Sequence, residues 1–132
     1  MDQLRYDHPT APRRPFPRLR RLTVVNLRAA AWAWRAAAAV RRAGDLEPTT
    51  PAVPSLPDGA REAAVAVLRR TGTTCLVEAT VLQAWDAAHG RPRDLVIGVR
   101  KDHEGFEAHA WLDGDDDAEQ HRFEELLRRP PR

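Results

Sequence analysis

Residues 94–112 read DLVIGVRKDHEGFEAHAWL. The apolar run at 94–100, the polar KDHEG and then FEAHAWL at 106–112 predict two strands joined by a turn. Strand side chains alternate between faces. In FEAHAWL this puts Phe106, Ala108, Ala110 and Leu112 on one face and Glu107, His109 and Trp111 on the other. The first face can serve a core without any chemistry. The second holds an imidazole, and what that imidazole faces decides whether the fold carries a reaction.

Upstream, the sequence changes period. A helix is predicted to begin near Cys75 and to run through Leu76, Ala79, Val81, Leu82, Trp85 and Ala88, with Gly90 as its stop. The turn Thr71-Gly72-Thr73-Thr74 precedes it. Before that turn, residues 58–70 predict a helix with Asp58 as cap and Ala64, Val65, Val67 and Leu68 on its apolar face. EPTTPAVPSLPDG at 47–59 reads as a proline-rich linker. A further helix is predicted over about 20–42, through Leu22, Val25, Leu27, Trp32, Trp34 and Val40. The two tryptophans, two residues apart, do not share one stripe. Residues 1–17, with four prolines, read as an irregular arm. Downstream, DGDDD at 113–117 is a turn, and 118–127 predicts a short third strand ending in a helical turn. The organisation is a basic arm and helix (1–46), a linker (47–59) and a domain (60–132).

The chain has 132 residues, 42% hydrophobic, enough for one compact core. Its net charge of +2 hides a strong asymmetry. Residues 1–44 carry ten arginines against two acids, and residues 102–125 carry ten acids against Arg122. Lys101 is the only lysine, so the arginines reflect a coding bias, and they lack the interleaved aromatics or motifs of a nucleic-acid reader. The apolar stretch LRAAAWAWRAAAAV is too short and too charged to span a bilayer. No secretory h-region is visible at the start, and a cytoplasmic protein is the expectation.

Cys75 is the only cysteine, which excludes an internal disulfide and a multi-cysteine metal site. A nucleophilic cysteine needs a stabilised thiolate and an imidazole within reach. Exposed N–H groups at a helix start favour the thiolate and can hold an oxyanion. His109, on a strand, is the candidate base. Its own orienting group is expected from the strand that follows, beside it. Asp115, Asp116 and Asp117 lie at that turn, and Gln120 falls opposite His109 if the hairpin pivots near 114–115. The bland alternative is a small buried cysteine and a structural histidine. His103, His109 and His121 lack metal-ligand spacing, and DGDDD lacks the glycine position and closing Glu of a calcium loop, so no metal is expected.

Cys75-Leu76, His89-Gly90, Leu95-Val96-Ile97-Gly98-Val99 and Phe106-Glu107-Ala108-His109-Ala110-Trp111, in that order, resemble the transglutaminase-like peptidases of lasso-peptide biosynthesis. The similarity covers residues 60–128 and is best to the stand-alone peptidase half of the split form. It implies an α+β, papain-like or transglutaminase-like fold, with the nucleophile helix packed on a small antiparallel sheet. It implies a cysteine peptidase that frees the core of a ribosomally made precursor peptide from its leader, with Cys75 as nucleophile and His109 as base. It also implies partners: the precursor peptide, a small leader-recognition protein, and an ATP-dependent macrolactam synthetase that takes the core. The helix at 20–42 is then expected to dock the recognition protein or the leader. No cofactor is implied. The family's third residue is an Asp about a dozen positions after the His, where this chain has Gln120 and His121. Asp117, on a shortened hairpin, is the expected equivalent. Asp113, Asp115 and Asp116 are its neighbours, and Gln120 is an alternative through its amide oxygen. An acyltransferase using the same Cys–His pair, and a non-catalytic interaction protein, are the competing readings.

Overall fold

The computed structural model describes residues 23–44, 49–115 and 120–132. Among the described residues, three helices precede a three-stranded sheet: α1 (Val24–Ala43), α2 (Ala60–Arg70), α3 (Cys75–Ala88), β1 (Leu95–Asp102), β2 (Gly105–Leu112) and β3 (Glu124–Arg129), with a helical turn at Gln120–Arg122 before β3. The helices pack on one face of an antiparallel sheet, the α+β architecture expected.

Local chemistry sets the helix ends. Thr23 caps α1, its hydroxyl accepting from the Asn26 N–H at 3.1 Å, so the helix starts within the expected 20–42. Asp58 does not cap α2. Gly59 holds that position without a side-chain bond, and Asp58 helps through its carbonyl, which accepts from the Arg61 N–H. His89 ends α3, and Gly90 follows at φ 79°, the left-handed conformation that favours glycine.

The core unites elements that the sequence reading separates. Trp32, Ala33, Ala36, Ala37 and Val40 of α1 share one buried cluster with Ala63, Ala64 and Leu68 of α2, Val81 and Trp85 of α3, and Leu95, Ala110 and Leu112 of the sheet. Alanine rows let α1 and α2 approach closely. Trp32 packs on Trp85 with ring centroids 5.5 Å apart, while Trp34 points outward. The proline-rich stretch is laid against this core. Leu56 is buried, Trp32 Nε1–H donates to the Pro51 carbonyl at 3.1 Å, and the Leu56 N–H donates to His89 Nε2 at 3.3 Å. A boundary at 47–59 therefore does not divide the packing, because the apolar face of α1 has its partners on the other side of it.

The strand order is β2-β1-β3. Leu95 pairs with Leu112 and Gly98 with His109 on one side of β1. On the other side Leu95 pairs with Arg129 and Val99 with Glu124, with a bulge at Ile97/Gly98. The chain after β2 thus does not return beside β2, as expected from sequence, but crosses to the far side of β1. The order within the last segment is also reversed, with the helical turn preceding the strand. Gln83 of α3 fixes this arrangement, donating from Nε2 to the carbonyls of Arg93 and Arg129, both at 2.9 Å.

A buried ion cluster ties the layers. Asp86 of α3 is 1% exposed and accepts a bidentate pair from Arg61 of α2 at 2.8 and 3.0 Å. It also accepts from Arg93, whose other nitrogen reaches Asp115. Burial by itself would raise the Asp86 carboxyl, but the two guanidiniums outweigh it and hold it below the ordinary carboxylate value. Among the described residues, no helix is long and apolar enough to cross a membrane.

Candidate active site

Cys75 is the first residue of α3. The preceding threonines build its seat. Thr71 Oγ1 donates to the Val67 carbonyl at 2.9 Å, and Thr73 Oγ1 to the Leu68 carbonyl at 2.8 Å, both at the end of α2. Thr74 is the N-cap and accepts from the Val77 N–H at 3.3 Å. A helix start leaves its first N–H groups without intrahelical partners. Here the backbone of Ala110 on β2, and those of Leu76 and Cys75 itself, lie near the sulfur and favour its thiolate.

The ladder explains the Ala110 contact. Asp113 N–H donates to the Asp94 carbonyl at 2.8 Å, continuing the β1–β2 pairing. By antiparallel alternation, Asp113, Trp111 and His109 turn their backbone groups toward β1, and Ala110 turns its groups outward. Since β2 is an edge strand, the outward N–H is available to the thiol.

His109 precedes Ala110, and its side chain leaves β2 on the opposite face from the helices. It is 7% exposed. Its ring stacks on Trp111 at 5.5 Å and meets Phe123 in a tilted contact at 5.2 Å. Gly98 lies opposite His109, and its lack of a side chain admits the Trp111 ring and the Cβ of Phe123 over the strand. Arg100 places its guanidinium over Phe123 at 5.2 Å and donates to the buried Glu107 carboxylate, at 2.9 Å from Nε. The structure thus brings the thiol to the backbone of the residue after His109, with sulfur and imidazole on opposite sides of one free strand edge.

Electrostatics favour a resting thiol. Burial pushes the Cys75 sulfur up, and the Glu78 carboxylate adds to this; the Ala110, Leu76 and Cys75 N–H groups pull the other way but do not prevail. A base is therefore required to form the thiolate.

The expected orienting residues fall into three groups. Asp117, with Asp116, lies outside the described residues. Asp113 is held by Arg128 at 2.8 Å and Asp115 by Arg93 at 2.5 Å. Gln120 begins the helical turn ahead of Phe123, and it does not stand opposite His109 on a neighbouring strand, because β1 occupies that place. Among the described residues, no three His, Cys, Asp or Glu side chains gather as a metal-ligand set.

Sequence reasoning placed Trp111 on the face of His109 but missed Gly98 and Phe123 as surroundings of the imidazole. Gly98 inside a strand was the available signal, since such a glycine often marks a close approach.

A family model described as transglutaminase-like superfamily matches residues 21–128. The match begins before α1, in agreement with the undivided core. No curated protein and no solved structure matches the chain.

Proposed function

We propose, proceeding from the fact that the chain belongs to the transglutaminase-like superfamily, that it is the cysteine peptidase that removes the leader from a ribosomally made lasso precursor peptide. The matched family is the one typical of lasso-peptide leader peptidases. The observation that carries the chemistry is the placement of the only cysteine at the start of α3, with its sulfur beside the backbone of the residue after His109.

The mechanism follows from that placement. In the reaction the imidazole of His109 has to turn from its place between Trp111 and Phe123 toward the β2 edge, where it takes the Cys75 proton. Such catalytic hydrogen bonds commonly tighten only when substrate is bound. The thiolate attacks the carbonyl at the leader–core junction, and the oxyanion is met by the N–H groups at the start of α3. The C–N bond breaks as His109 returns its proton to the departing core amine. Water, deprotonated by His109, then hydrolyses the thioester and releases the leader. The raised thiol suits this order, because the nucleophile stays protonated until a substrate and its base are in place.

Asp117 orients His109 in this reading. Asp113 and Asp115 already neutralise Arg128 and Arg93. A separate recognition protein holds the leader and delivers the junction at high effective concentration, so the peptidase itself needs few contacts along the peptide. The released core passes to an ATP-dependent macrolactam synthetase.

The test is leader release followed by mass spectrometry, with precursor peptide and recognition protein present. Cys75→Ala and His109→Ala abolish release. Asp117→Ala reduces it strongly while Gln120→Ala leaves it near the wild-type rate. Undiminished cleavage by Cys75→Ala would falsify the nucleophile assignment.

A further inference from the structure

α1 has two apolar faces, and the core uses only one. Ala29, Trp32, Ala33, Ala36, Ala37 and Val40 are buried. The outer face carries Val24, Leu27, Ala31 and Trp34, continued by the half-buried Ala38. Val24 is 73%, Leu27 54% and Trp34 60% exposed. The spacing is three, four, three, four. That is the seam by which one helix packs along another, with Val24, Ala31 and Ala38 at one seam position and Leu27 and Trp34 at the other. Arg28, Arg35 and Arg42 follow at intervals of seven, all exposed, along one flank of the seam. Such flanking positions set partner choice by charge in paired helices. None of the three makes an ion pair within the described residues, and α1 itself contains no acid.

We propose that this face of α1 docks an acidic amphipathic helix of a partner protein. Its apolar seam would lie on Leu27, Ala31 and Trp34, and its carboxylates would meet Arg28, Arg35 and Arg42, one about every 10 Å. An exposed tryptophan flanked by arginines is the residue combination that dominates binding energy at interfaces. A second copy of the chain fits badly, since the same seam would set arginine against arginine. Residues 1–22 fit badly for the same reason, with six arginines against two aspartates. A lipid surface requires a wide apolar face, and here the neighbouring faces of α1 are already in the core. The inference concerns a surface and a partner chemistry, and it does not depend on Cys75 being catalytic.

The experiment uses the full chain and a fluorescein-labelled three-heptad peptide with Leu at the seam and Glu on both flanks. A twin peptide carries Lys in place of Glu. Anisotropy is followed for wild type, Trp34→Ala and the double variant Arg28→Glu/Arg35→Glu. These side chains are exposed, so thermal melts of the variants should match wild type. The expected result is saturable binding of the acidic peptide, at least tenfold tighter than its Lys twin and at least tenfold weaker in either variant. Parallel arms test vesicles of phosphatidylglycerol and phosphatidylcholine, and self-association by sedimentation. The proposal is overturned if the acidic peptide does not bind, if both peptides bind alike, or if the variants bind like wild type. It is also overturned if Trp34→Ala instead abolishes vesicle binding or dimerisation.

Discussion

Replacing Gly98 by alanine probes the link between fold and site most directly. The added Cβ would lie 2.8 Å from Phe123 Cβ, 2.8 Å from Trp111 Cη2 and 3.0 Å from Trp111 Cζ3. Carbon atoms rest at about 3.5–4.0 Å, so each contact is too close by about 0.5 Å or more. The tip of the half-buried Trp111 ring can yield. Phe123 Cβ cannot rotate away, because it is bonded to the backbone, so the entry to β3 must shift. Overpacking of this kind costs about 1–3 kcal/mol. Alanine recovers roughly 0.5–1 kcal/mol of strand propensity over glycine. The net loss is about 0.5–2 kcal/mol, or a fall in Tm of about 2–10 °C for a domain of this size. Both displaced rings pack on His109, so leader release should fall further than stability explains, while alkylation of Cys75 in the absence of substrate changes little. Urea unfolding of Gly98→Ala, Trp111→Leu and the double variant is the assay. Shortening Trp111 should relieve part of the clash, giving a coupling of about 0.5–1.5 kcal/mol. A neutral or stabilising Gly98→Ala, or strict additivity with Trp111→Leu, would refute the reasoning.

Three further outcomes are expected. Asp86→Ala leaves Arg61 and Arg93 without their shared carboxylate; the arginines are about a quarter exposed, so the cost is at the low end for a buried pair, about 2–3 kcal/mol by urea unfolding. Because the folded-state Asp86 carboxyl lies below its unfolded value, the unfolded chain binds more protons in that range. The Asp86 contribution is therefore complete above the unfolded value of about 3.9 and fades as pH falls through the folded one; Asp86→Asn should flatten this part of the stability profile, and an unchanged profile would count against the clamp. Glu78→Gln removes a charge that helps burial hold the thiol up, so the pH profile of iodoacetamide alkylation at Cys75 should move to lower pH, while loss of the partly exposed Arg69 pair costs less than about 1 kcal/mol. His89→Ala removes the stack on Trp85 at 4.5 Å, the bond to the Trp85 carbonyl at 2.8 Å and the acceptor for Leu56 N–H; a loss of about 1–3 kcal/mol is expected in thermal or urea melts, with faster proteolysis near residues 50–57.

Much of the molecule is set by local rules that act over a few residues. The period of 3.6 placed three helices, an apolar run placed β1, the period of 2 placed β2, and the Thr-rich turn put Cys75 at a helix start. Pairing of Gly98 with His109 follows from the short connection between those strands. Other features depend on surfaces that meet only after collapse. α1 reads as an appendage because proline follows it, yet its alanine face fits α2 and its Trp32 fits Trp85. β3 carries two exposed leucines and no alternation, so nothing local directs it to β1; Gln83 bonding the Arg129 carbonyl and Phe123 covering Gly98 draw it there. Cys75 and His109 could be named as candidate nucleophile and base from residue types in order along the chain. Which sides of β2 they occupy, and that an outward N–H of an edge strand reaches the sulfur, required the strand order. Strand order is a long-range choice, made by side chains that close over one another across the sheet rather than by the preference of any single segment.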